Sequence, residues 1–328
     1  MFRSRVRHLL STPLAALTLV ALLVGCGGSS GPAAVSTTTK PGPTTTVAPT
    51  VPPSAGAPCG RPGTAPGRYQ HVVVIMEENR TWTGGRSNPV GMGFSNGKMP
   101  FLQGLATRCS SYTDWSETNG GQNSLNQYVG LTSGVVNTAT VNDCTPSDSC
   151  HSTDDNLFRQ IREAGGTPRS FVDGATQPCS PGSNRSKHIP ALYYWGADDR
   201  SFCTKEVRPF TELDPAHLPT LAFVSPDMCH DGHDCGDDQV DAWAKSLLTR
   251  ILDGATYRAG RTLVVVVYDE DRPVPNLLIA PTAHPGPISR VAGSHAALLK
   301  TIEQLLGLPV LHQGQLPAAI SLRSSANI

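Results

Sequence analysis

The strongest pattern along the chain is a set of short, unbroken apolar runs, each ending abruptly in acids. His71 to Arg80 reads His-Val-Val-Val-Ile-Met-Glu-Glu-Asn-Arg. The run is too short for a buried helix and lacks the alternation of a half-wet strand. It predicts a strand covered on both faces, as in parallel sheets. Leu263–Tyr268 repeats the design and runs into Asp269, Glu270 and Asp271. Thr220–Pro226 does the same and leads to Asp227, His230, Asp231, His233 and Asp234. Shorter strands are predicted at Ser110–Trp115, Ser170–Val172 and Asn276–Ala280. Helical spacing predicts helices over Met99–Arg108, from Ser124 to Leu131, over Asp154–Ala164 with Asp154 or Asp155 as cap, and over Asp237–Asp253. A last helix is capped by Ser294, carries Leu298, Ile302, Leu305 and Leu306, and stops at Gly307. Thr176–Thr211 reads as irregular. Strands and helices alternate, so the expected class is α/β: a mainly parallel central sheet with helices on both faces.

The flanking segments have other compositions. Residues 1–26 carry Arg3, Arg5 and Arg7 before an apolar stretch too short to span a bilayer, which reads as an export signal. Its end, Leu23-Val24-Gly25-Cys26, is similar to a bacterial lipobox, and that likeness implies cleavage before Cys26 and lipidation of it. A plain secretory signal is the other reading. Residues 27–67, rich in Thr, Pro and Ser, are expected to form a flexible tether. The catalytic-type domain is expected over 68–312, with a loose tail at 313–328. The formal net charge is zero and charged residues make up 16% of the 328, which argues against a basic nucleic-acid-binding surface. Setting Cys26 aside, eight of the nine cysteines remain, an even number that fits disulfides in an exported chain. Spacing favours Cys144–Cys150 and Cys229–Cys235, with Cys179–Cys203 a weaker pairing.

Strand ends are where open α/β sheets place their ligands. Glu78, Asn79, Asp269 and Glu270 offer oxygen donors suited to a divalent cation, of a kind the sequence does not specify. Ser124, after a glycine-rich loop and at the start of a helix, is the candidate nucleophile, because backbone N–H groups there can face an anion. His188, His233 and His295 are candidates for neutralising a phosphate oxygen or protonating a leaving alcohol. Asp231 and Asp234 crowd His233. Cys229, His230, His233 and Cys235 also permit a zinc reading, with a Cys229–Cys235 disulfide favoured over it.

These motifs, in this order, resemble the bacterial phosphoesterase family of the alkaline-phosphatase-like superfamily, which holds phospholipase C-type enzymes and secreted acid phosphatases. The likeness spans His71 to Pro309 in blocks: His71–Arg80, Ser124–Gly134, Lys187-His188-Ile189-Pro190, Leu218–Trp243, Leu263–Asp271 and Ser294–Pro309. It implies a metal site at Glu78, Asn79, Asp269 and Glu270. It also implies a nucleophile at Ser124, with His188, Asp231, His233 and His295 around the phosphate. The chain departs from the family after Ser124, where Leu125-Asn126-Gln127 replaces the usual x-Pro-Asn, so Gln127 or a shifted Asn126 would face the substrate. The resemblance implies an exported, metal-dependent, acid phosphatase-like hydrolase of phosphoric esters, free or in a phospholipid head group. Diester cleavage of the phospholipase C type and a catalytically weak binding lipoprotein are the alternatives.

Overall fold

A computed structural model of the chain describes residues 51–82, 98–118, 123–135, 138–311 and 319–328. Cys26 with the expected signal segment, the expected tether up to residue 50, and residues 83–97 and 119–122 lie outside the described residues. The elements run β1 (His71–Glu77), α1 (Pro100–Arg108), β2 (Ser110–Tyr112), β3 (Trp115–Ser116), α2 (Ser124–Ser133), α3 (Leu157–Glu163), β4 (Pro168–Val172), α4 (Asp199–Glu206), β5 (Val207–Pro209) and β6 (Leu221–Ser225). They continue with α5 (Asp237–Asp253), α6 (Ala255–Arg258), β7 (Thr262–Tyr268), β8 (Asn276–Ile279), β9 (Gly286–Ile288), β10 (Gly293–Ser294), α7 (His295–Leu306) and α8 (Arg323–Ala326).

The sheet has eight strands in the order β5-β4-β6-β1-β7-β8-β2-β9. The valine-rich β1 lies between β6 and β7 and is parallel to both, with Val72 level with Leu221 and with Leu263. Val264 to Val267 of β7 are at most 1% exposed, and each such side chain contributes about 1.5–3 kcal/mol by leaving water. Because the three runs are neighbours and parallel, their acidic ends emerge together at one edge. Asp269 N donates to Glu77 O at 3.0 Å, and Glu78 N donates to Asp231 O at 2.8 Å. Only β8 runs against its neighbours β7 and β2. The helices pack in pairs, α1 against α5 and α2 against α7.

The structure departs from the sequence reading in four places. The α3 cap is Asn156, whose side chain accepts from Arg159 N at 2.9 Å. Asp154 is taken by the Ser152 hydroxyl and Asp155 by the Arg159 guanidinium. The stretch from 176 to 211, read as irregular, contains α4 and β5. They lack an apolar stripe, and α4 is held by buried ion pairs of Asp199 with Arg159 and Arg162. Residues 51–67, assigned to the tether, pack on the domain through Cys59–Cys109 and a hydrogen bond from Tyr257 to Pro58 O. The expected loose tail includes α8, with Leu322, Ala326 and Ile328 buried. Of the four disulfides, Cys144–Cys150, Cys179–Cys203 and Cys229–Cys235 are the pairs favoured by spacing.

Candidate active site

The site grows from the end of β1. Asn79 takes a left-handed backbone with φ 52°, which asparagine tolerates better than most residues, and the chain turns away just past Glu78. Arg80 fixes this turn: it donates to Asn79 O at 3.0 Å and pairs with Asp237, at the start of α5, at 2.9 Å. From the end of β7, the Asp269 carboxylate accepts Asn79 N at 2.9 Å. From the loop after β6, Asp231 brings its carboxylate to the same place.

Ser124 is the first residue of α2 and is nearly buried. Its hydroxyl donates to Glu78 Oε2 at 3.0 Å and accepts from Lys187 Nζ at 3.1 Å. Its proton and one lone pair are therefore oriented, and the positive end of a ten-residue helix lies behind it. Lys187 is held from the other side by Asp143 Oδ2 at 2.9 Å, while Asp143 Oδ1 accepts Leu125 N at 3.1 Å. One carboxylate thus ties the lysine to the first turn of the serine's helix.

His188 is fully buried and stacked on Tyr128, with ring centroids 5.2 Å apart. Its Nε2 lies 3.1 Å from Glu78 Oε1 and its Nδ1 lies 3.1 Å from Asp231 Oδ2. None of these atoms is aligned for a hydrogen bond, and Asp269 Oδ2 beside them also lacks a partner. Buried polar atoms are normally satisfied, so Glu78 Oε1, Asp231 Oδ2, Asp269 Oδ2 and the two His188 nitrogens form a cluster of buried polar atoms without hydrogen-bond partners. Electrostatics agrees. Burial, then repulsion from Asp269 and Asp231, pushes the Glu78 carboxyl well above its usual range. Burial raises Asp231 to about 7 and also raises Asp269, against the pull of Asn79 N. Burial lowers His188 to about 3. Burial works against the Lys187 ammonium, but Glu78, Asp143 and Asp269 together hold its pKa above the ordinary lysine value. Carboxylates crowded in this way bind a proton or a cation, and Glu78 and Asp269, at the ends of β1 and β7, are the two of the expected cation ligands that this crowding brings together.

His233 stands at the rim, half-buried, with its ring 6.2 Å from that of His188 and its Nδ1 2.7 Å from Asp234. His295 faces elsewhere. Its Nε2 lies 3.0 Å from Tyr268 O and its Nδ1 lies 3.4 Å from the Thr118 hydroxyl, and burial lowers its pKa to about 4. Gln127 turns its amide oxygen to Thr118 N at 2.8 Å. Asn126 is buried with its Oδ1 unpartnered. Glu270 is buried beside Asp269. The Cys229–Cys235 bond removes the thiolates that a zinc reading requires. Among the described residues, the His/Cys/Asp/Glu group whose ligand atoms all lie close enough together for a metal ion is a half-buried trio, Asp173, Asp227 and His230. Its members satisfy one another, with His230 Nδ1 2.7 Å from Asp173 and 3.1 Å from Asp227. Two residues at the site escaped the sequence reading: Lys187 and Asp143. Glu77 is buried, with both oxygens unpartnered. A lysine beside the singled-out His188 was the one available signal.

No family model matches this chain. It is similar to phosphatidylinositol-3-phosphatase of Mycobacterium tuberculosis, with 28% identity over 253 residues that cover 74% of this chain and 78% of the relative. Among solved structures, a 2-O GAG sulfatase superposes with a TM-score of 0.50 at 12% identity, over 79% of this chain and 74% of that one. A protein of the alkaline phosphatase superfamily from Vibrio parahaemolyticus gives 0.49 at 12%, over 78% and 68%. At such identities the likeness is one of fold, a mostly parallel α/β sheet.

Proposed function

We propose that this chain is an exported, divalent-cation-dependent phosphomonoesterase in which Ser124 attacks phosphorus. The observation that carries the reading is the placement of the Ser124 hydroxyl between Glu78 Oε2 and Lys187 Nζ, at a helix N-terminus and beside unpartnered buried donors. The similarity to a phosphatidylinositol-3-phosphatase supports the same class of chemistry. Glu78, Asn79, Asp269 and Glu270 would hold the cation, whose charge, when bound, favours the serine alkoxide and offsets charge on the phosphoryl oxygens.

The chain's own residues account for the proton movements. The Ser124 proton leaves along its hydrogen bond to Glu78 as Oγ bonds to phosphorus. Lys187 neutralises the phosphoryl oxygens, with the positive end of the α2 dipole behind Ser124. His233, oriented by Asp234 at its Nδ1, gives an Nε2 proton to the departing alcohol. Neutral His233 then takes a proton from the water that opens the phosphoserine, and Glu78 returns its proton to Ser124. His188 is the poorer acid, because its burial disfavours the charged ring.

The test is hydrolysis of 4-nitrophenyl phosphate by the purified protein. Activity should vanish with a chelator and return with a divalent ion, and Ser124→Ala should lower kcat at least about a thousandfold. No turnover with magnesium, calcium, manganese or zinc would sink the reading and favour a binding lipoprotein. The four disulfides support an oxidising, extracytoplasmic setting. The proposed lipid anchor at Cys26 is tested separately: Cys26→Ser should move the protein from the membrane to the soluble fraction.

A further inference from the structure

Two cavities follow one another away from Lys187. The nearer, about 360 Å³, is lined by Asp143, Thr145, Arg185, Ser186 and Lys187. The farther, about 380 Å³, shares Thr145 and Ser186 with it and is walled by Pro146, Pro181, Ala191, Leu192 and Trp195. Each has the size of a small-molecule pocket. They differ in chemistry: cations crowd the first, and apolar side chains the second. Arg200, which also lines the second, lays its guanidinium 4.1 Å from the Trp195 ring centroid, so that cation is turned to the indole.

The walls are braced. Cys144–Cys150 closes the loop that supplies Asp143 and Thr145, and Cys179–Cys203 joins two residues that line the farther cavity. The Tyr193 hydroxyl donates to Cys144 O and lies 3.2 Å from Ser186 Oγ, so it pins one loop to the other where the cavities meet. Trp195 Nε1 donates to Leu192 O at 3.1 Å, which fixes the indole. A cavity braced by disulfides and hydrogen bonds is preformed, and a ligand entering it loses little binding energy to ordering the protein.

The geometry points to a specificity site for the leaving group: the farther cavity seats an apolar alcohol portion of the phosphomonoester, while its phosphoryl group lies between Ser124, Lys187 and Arg185. This rests on the phosphomonoesterase reading above and names its substrate class: monoesters of alcohols bearing a flat or bulky apolar body.

The experiment compares 2-(1-naphthyl)ethyl phosphate with ethyl phosphate. Both leaving groups are primary alkyl alcohols, so differences report binding rather than leaving-group acidity. The wild-type protein should prefer the naphthyl ester. Ala191→Phe, which fills the cavity, should lower kcat/KM for that ester about tenfold, mainly through KM, and leave ethyl phosphate unchanged. Trp195→Ala should shift the ratio the same way. Equal rates on both esters, with the ratio unmoved in either variant, would overturn the cavity assignment and leave the phosphomonoesterase reading standing. If neither ester is hydrolysed, that reading fails instead, and equilibrium dialysis of the naphthyl ester decides the cavity. Binding that Ala191→Phe weakens about tenfold supports it, and no binding overturns it.

Discussion

Lys187 sits 3.1 Å from the Ser124 hydroxyl and 2.9 Å from Asp143, where it can meet a phosphoryl oxygen and no other described cation touches the serine. Lys187→Met should therefore lower kcat/KM about a hundredfold, the scale of losing one preorganised charge at a transition state. Lys187→Arg should recover part of it, because the charge returns with a different shape. Circular dichroism and thermal melting of both variants would separate this from misfolding, and an activity within twofold of wild type in the methionine variant would exclude the role. The sequence did not show this lysine, because a lysine in a polar loop ordinarily reads as solvated and its partner Asp143 lies in a distant cysteine loop. Glu78, Asn79 and Asp269 were legible for the opposite reason: each directly follows a valine run whose direction in a parallel sheet is set. His188 was legible as a site residue, but its burial between Glu78 and Asp231 was not. Nothing local to Lys187-His188-Ile189-Pro190 encodes the Tyr128 ring beneath it.

At the level of elements, strands were read more reliably than helix starts. The β1, β6 and β7 runs needed only their composition, since no other short element buries so many valines on both faces. Helix entry depends on contacts from elsewhere. No side chain of its own N-cap closes α1; instead Asp241 of α5 accepts Phe101 N at 3.0 Å and Leu102 N at 2.9 Å. The last long helix, α7, was legible through Ser294, whose hydroxyl accepts Ala297 N at 3.0 Å, yet it hides a cost. Glu303 is buried on it, with Oε1 accepting Leu311 N and Oε2 unpartnered. Burial raises its pKa from 4.5 to about 7, against the hydrogen bond from Leu311 N. A raised carboxyl pKa means that the folded protein holds this proton more tightly than the unfolded chain. The stabilisation is full below pH 4.5, falls as pH rises towards 7, and is gone above it. The slope from this one group is at most about 1.4 kcal/mol per pH unit. Glu303→Gln should remove that slope, so the variant should gain stability relative to wild type between pH 5 and pH 8, by urea unfolding at each pH. Parallel curves for the two proteins would show that Glu303 does not titrate in this window.

Across the whole molecule, the two segments expected to be loose are bound to the chain after β8 and to each other. Gly60 N donates to Ala283 O at 3.0 Å and Arg61 N donates to Pro281 O at 2.8 Å. Arg323 of α8 donates to Pro66 O at 3.2 Å and to Gly67 O at 3.1 Å. Composition gave no warning, because these contacts use main-chain carbonyls, which every residue carries. The C-terminal segment buries a few well-spaced apolar side chains rather than a continuous face. Cys59–Cys109 ties the N-terminal segment down across 50 residues of chain, from ahead of β1 to the residue after α1. A loop of that length should contribute about 2–4 kcal/mol through the unfolded state. The double variant Cys59→Ala, Cys109→Ala should lower the denaturation midpoint accordingly. The site should be spared, because its side chains come from the ends of β1, β6 and β7, from α2 and from the loops bearing Asp143 and Lys187. Turnover of 4-nitrophenyl phosphate under native conditions should therefore stay within about twofold of wild type. A fall in turnover matching the fall in stability would mean instead that the N-terminal segment holds the strand ends in register, and that the bond belongs to the site's support rather than to the chain's periphery.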